Sequence, residues 1–127
     1  MNREQIESNL IAIKTELERE VSADSIMDVT DKLMKLQVYD ALSAETMRWA
    51  RKLVLDEQRK EMAKLDILKT QTTVLKMLVE SNLSEWLALY TYAERLNAAV
   101  HHGCDALRTI VSLYKEQMVT ERFTRQT

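Results

Sequence analysis

From Thr72 to Gln117 the chain carries an apolar repeat on two tracks. Alternate steps of three and four give one track of Thr72, Val79, Trp86, Ala93, Val100, Leu107 and Tyr114. The second is Leu75, Asn82, Leu89, Leu96, Gly103, Ile110 and Gln117. Only Thr72, Asn82, Gly103 and Gln117 are neither apolar nor aromatic. Such steps keep side chains on one side of an α-helix, which turns once in about 3.6 residues. A repeat sustained this long is a helix-packing seam. Leu78, Leu83, Tyr90, Tyr92, Val111, Leu113 and Met118 flank it and are apolar too, so the seam suits a multi-helix bundle better than an isolated two-stranded coiled coil.

The rest of the chain agrees. Proline is absent and glycine occurs once among 127 residues, so the residues that punctuate turns are nearly missing. The expected fold is therefore all-α, an elongated bundle of helical hairpins with coiled-coil-like packing and a long C-terminal helix. One domain over residues 1–127 suffices for this length. Ile6, Leu10, Ile13 and Leu17 mark a first helix over about 3–21. Asp24 or Ser25 supplies the cap for a second, over 25–42, with Ile26, Val29, Leu33 and Leu36 along one edge. Ser43 offers a cap for a third helix over 44–80, and an unbroken helix through it is the alternative. A fourth helix is expected over 83–119. Asn82 either fixes register within the seam or caps this helix in a box with Glu85; the cap is favoured, because several cap-forming residues surround it. A helix of that length measures about 55 Å, more than a compact small domain needs. A homo-oligomer is the natural way to cover it.

Cys104 has no second cysteine to pair with, the first residues lack the apolar core of a signal peptide, and no run is long enough to span a membrane. A cytoplasmic protein is expected, with no membrane partner. Charge is distributed unevenly. Residues 1–30 hold seven acidic against three basic residues, and residues 48–76 hold eight basic against four acidic. That asymmetry suits head-to-tail packing of segments in an oligomer, and equally a modest basic face.

The segment "AVHHGCDALRT" gathers both histidines, the cysteine and the glycine. On a helix His101 reaches Cys104 and Asp105, and His102 reaches Asp105. Zinc asks for about four ligands, and no other histidine or cysteine exists to complete the set, so no metal site is expected. Cys104 falls mid-helix beside the seam, where a small buried residue is its expected role and not a nucleophile. Gly103 lies on the seam and permits a close approach by a neighbouring helix, at about 1 kcal/mol of helix propensity. No phosphate-binding loop, zinc-protease or hydrolase motif is present, and neither catalytic residues nor a cofactor are expected. Arg48, Lys52 and Arg59 share one helical face with Arg51 beside them, a possible nucleic-acid surface that acidic residues interrupt.

"VYDALSAETMRWARKLVLDEQ", and above all "YAERLNAAVHHGCDALRTIVS", resemble a type of small helical protein encoded by tailed phages and prophages. The likeness covers about residues 38–118 and rests on Leu96, Asn97, His102, Asp105, Leu107, Arg108 and Thr109. The resemblance implies a phage gene product acting in the bacterial cytoplasm. It singles out His102, Asp105 and Arg108 on the outward side of the helix, with Arg95 one heptad before His102, as a strip for a protein partner. An ordinary surface charge pattern accounts for the same residues. The function expected is a non-enzymatic protein–protein interaction protein, in one form an inhibitor of a host or antiviral-defence protein. The alternative is an accessory DNA-binding protein of phage recombination or replication.

Overall fold

The structure, a computed structural model, describes residues 1–64 and 72–126. Lys69 of the basic segment and part of the expected 44–80 helix lie outside the described residues. The fold is all-α. Among the described residues four helices and no strand are present: α1 (Arg3–Glu18), α2 (Ile26–Lys64), α3 (Thr72–Asn82) and the long C-terminal α4 (Ser84–Gln126).

The starts of α1 and α2 follow from local chemistry. Asn2 and Gln5 form a reciprocal capping box, with Asn2 Oδ1 accepting from the Gln5 N–H at 2.9 Å and Gln5 Oε1 accepting from the Asn2 N–H at 2.8 Å. The extended backbone of Arg19 ends α1. Lys32 reaches across from α2 and donates to the carbonyls of Leu17 (3.0 Å) and Arg19, which α1 leaves unpaired. Of the two expected caps for α2, Ser25 serves: its hydroxyl accepts from the Asp28 N–H at 3.3 Å.

Two expected boundaries are corrected. The chain does not break at Ser43, because α2 runs unbroken from Ile26 to Lys64. Ser43 is fully buried, and its hydroxyl is shared between the Asp40 carbonyl (3.0 Å) and Asn97 Oδ1 on α4 (2.7 Å). A serine with such partners has no need of a helix terminus. Asn82 closes α3 instead of capping α4, and its amide donates to Glu61 Oε2 on α2 at 3.1 Å. The Leu83 N–H bonds the Val79 carbonyl and the Leu87 N–H bonds the Leu83 carbonyl, so backbone pairing carries across the join of α3 and α4.

Cross-helix bonds define the packing. Glu61 meets Asn82, Ser43 meets Asn97, and the Tyr114 hydroxyl donates to the Ala23 carbonyl just before α2. These pairs run in opposite chain directions, so α3 and α4 lie antiparallel to α2 in one long hairpin. α1 fills the groove between α2 and α4. Its Arg3 pairs with Glu85 at 3.4 Å and stacks 5.0 Å over the Trp86 ring, while Leu17 at its other end meets Gly103. The core lies where three helices meet: Ile6, Leu10 and Ile13 of α1, Val29, Leu33, Leu36 and Ala50 of α2, and Ala93, Leu96, Val100, Cys104 and Leu107 of α4. Burial of this apolar surface is the main stabilising term. Toward the Lys64 and Thr72 end two of the described helices pair, α2 and α3, and Val79 and Leu83 are the buried described residues of α3 and its join.

Candidate interaction surfaces

The histidine–cysteine segment divides between core and solvent. Cys104 is fully buried among the core residues. Burial pushes its thiol above the ordinary range, and the carboxylates of Asp40 and Asp105 add to this while Arg108 opposes it. A thiol held in that state is a poor nucleophile. Gly103 acts as a contact point: a Cβ placed there would lie 3.1 Å from Leu17 Cδ1 and 3.5 Å from Leu36 Cδ1. A methyl group there would be in ordinary contact with Leu36 and would require the end of the Leu17 side chain to give by a few tenths of an ångström. His101 is exposed, 3.8 Å from Asp40 Oδ2 and 3.9 Å from Asp105 Oδ2. Among the described residues, no group of three or more His, Cys, Asp or Glu is arranged to hold a metal ion.

Arg95, His102, Asp105 and Arg108 are all exposed on α4, yet they do not form one cluster. Arg95 borders a shallow groove beside α1, with Lys14, Leu17, Glu18, Tyr92 and Ala99. Asp105 and Arg108 pair with each other at 3.0 Å on the flank where His101 turns toward Asp40 of α2. His102 lies one heptad beyond Arg95 and shares its outward line. Among the described residues the strip therefore offers one cation with no ion-pair partner, Arg95, bordering an apolar groove, and one ion pair already closed within the helix.

Arg48, Arg51, Lys52 and Arg59 are exposed on α2. Lys52 Nζ stands 4.8 Å over the half-buried Trp49 ring, and Arg59 reaches Asp56 at 3.9 Å. The charge of Arg51 opposes the upward shift of the Tyr90 phenol on α4 that a hydrogen bond to Glu94, and then burial, impose. The basic face is thus partly neutralised by its own acidic neighbours.

Two surfaces escaped the sequence pattern. Met27, Met34 and Val38 lie exposed on the outer side of α2. Their spacing of seven and four was available as a signal, but the inner edge through Val29, Leu33 and Leu36 masked it. The second is the end of α4, which continues to Gln126, past the expected end at residue 119. Beyond Tyr114 every residue from Lys115 to Arg125 is exposed. Among the described residues no helix is long and apolar enough to cross a membrane. Comparison with protein-family models, curated proteins and solved structures returns no match.

Proposed function

We propose that this chain is a non-enzymatic helical interaction protein of the phage type, presenting helix faces to a protein partner in the bacterial host cytoplasm. One observation carries the reading: the projecting end of α4 is exposed throughout and still apolar. Met118 and Val119 are 53% and 60% exposed there, and Leu113 at its base is 58% exposed. At Met118 and Val119 the helix gains little from tertiary packing, which supplies most of the stability of helices in proteins. A partner that buries these apolar residues supplies the missing stabilisation. Leu113 continues the outward line of Arg95 and His102, since steps of seven and eleven nearly complete whole turns. The projection extends this line through Leu113, while Met118 and Val119 lie on other sides of the same helix. Inhibition of a host or antiviral-defence protein is one specific form of this function, and the protein is proposed to work as a homo-oligomer.

Affinity capture from the bacterial host tests it. Met118→Asp with Val119→Asp, and separately Arg95→Ala with Arg108→Ala, should keep full helicity and lose the captured partner. Undiminished capture by both variants overturns the reading. A second reading, DNA binding, draws on the exposure of Arg48, Lys52 and Arg59 along one side of α2. It requires a low-salt gel shift with single- or double-stranded DNA, and no shift removes it.

A further inference from the structure

Every fourth and then third residue of α2 from Met27 onward falls on its outer side, away from α1 and α4. The sequence of that stripe changes character halfway. Its first half offers Met27, Met34, Val38 and Ala41, with Met27, Met34 and Val38 exposed at 81%, 62% and 69%. The second half offers Glu45, Arg48, Lys52, Leu55 and Arg59. The steps of four and three repeat without a slip over this whole length, the spacing that two helices need to stay in contact. The core of the chain does not use this stripe, because its own α2 contacts are Val29, Leu33, Leu36 and Ala50. The 4–3 pattern on the outside therefore awaits a second helix.

Charge identifies that helix. Asp31, which reaches Arg19 at 3.5 Å and Lys35 at 3.3 Å within its own chain, is the acidic residue of the apolar half, whereas the other half is mainly basic. Laid parallel, two copies of the stripe would set Asp31 on Asp31, Arg48 on Arg48 and Lys52 on Lys52. Laid antiparallel, with a twofold axis between Val38 and Ala41, each Val38 packs on the Ala41 of the second copy. Asp31 then falls opposite Arg48 with Lys52 one turn away, and Glu45 falls opposite Met34 and Lys35. Val38 and Ala41 meet at the centre, Asp31 meets Arg48 on either side of it, and Met27 and Met34 lie against the side-chain stems of Lys52 and Glu45. Such a self-complementary patch is what a twofold interface requires. We propose that two copies of this chain associate through the outer face of α2, antiparallel, with Asp31 of each copy paired to Arg48 of the other. This rests on the homo-oligomeric part of the function proposed above and leaves α4 free for the partner.

Charge exchange between chains tests both face and direction. Asp31→Arg and Arg48→Asp are prepared as separate variants of the full chain, and mass is measured by light scattering after gel filtration. The wild type is expected to run as a dimer. Each variant alone sets like charges against each other twice and should bind itself at least about tenfold more weakly. Their equimolar mixture should return to the dimer mass, since each heterodimer restores both ion pairs. Val38→Glu, at an exposed central position, is expected to give a helical monomer independently of those charges. A dimeric wild type whose charge variants and Val38→Glu all remain dimers overturns the α2 interface and leaves the oligomeric reading standing. A monomeric wild type overturns both.

Discussion

At the scale of single residues, the centre of the bundle is held by a polar layer as well as by apolar packing. Ser43 and Thr46 are both fully buried, and each is satisfied locally and across helices. The Thr46 hydroxyl donates to the Leu42 carbonyl at 2.7 Å, with Asn9 Nδ2 of α1 at 3.5 Å, while Ser43 meets Asn97 of α4. One layer thus ties three helices, and a slip of any of them would strand a polar group in the core. Ser43→Ala should lower the unfolding free energy by about 1 kcal/mol. Asn97→Ala should behave alike, and the double variant should lose less than the sum of the two. Urea titrations of the three variants measure this, and strict additivity would show that the pair does not couple. Cys104 gives a second expectation. Its folded thiol titrates above the ordinary range because burial disfavours the thiolate, whereas the unfolded thiol ionises at its usual pH. The unfolded state therefore binds fewer protons at alkaline pH, and stability present below the thiol range falls as pH rises through it. Cys104→Ala should flatten that alkaline decline. Disulfide reagents should react with the native wild type only as fast as it opens.

At the scale of elements, α4 was the most legible part of the sequence and α2 the least. The seam from Ala93 to Leu107 holds because those positions face α1 and α2 at once, and burial on both sides keeps the period regular. On α2, Ser43 carries the residue type of a cap, and only its tertiary partner Asn97 shows why a mid-helix site accepts it. Asn82 misled for a related reason, since its amide is engaged by Glu61 from a helix some twenty residues earlier, which no local window contains. The interaction strip was legible as exposed residues but not as a grouping. The closure of Arg108 onto Asp105, and the groove beside Arg95, depend on how α1 lies against α4. The projecting end of α4 is where element-level stability should drop. Amides of Lys115–Gln126 are expected to exchange with solvent orders of magnitude faster than those of Ala93–Leu107, by mass spectrometry or NMR. Equal protection would mean that something already covers this helix in the free protein, and would remove its claim as a vacant binding element.

At the scale of the whole molecule, the chain is a hairpin thickened at one end by α1. Where three helices meet, residues such as Ile6, Ile13, Leu36 and Val100 lose all contact with water. Toward the other end a pair of helices must share its apolar surface with solvent, and Leu55, Val74, Met77 and Leu78 remain exposed. Apolar area removed from water sets most of the stabilisation, so the two ends cannot be equally stable. Adding a third helix converts half-covered positions into fully covered ones, and α1 does this only as far as Arg3, where the guanidinium closes over Trp86. Removing side-chain volume should therefore cost unequally. Ile13→Ala is expected to lose about 2–5 kcal/mol and lower the stability of the whole three-helix section. Leu55→Ala, at a site that already contacts solvent, should lose well under 1 kcal/mol. Native-state hydrogen exchange distinguishes a graded molecule from a single cooperative unit. In a graded one, amides of 55–64 and 72–80 open with small free energies that Ile13→Ala barely changes, while amides of 29–50 and 93–107 fall together. If every amide instead loses the same protection when Ile13 is cut back, α1 stabilises the two-helix end as well, and the hairpin folds as one body whose far tip depends on a helix it does not touch.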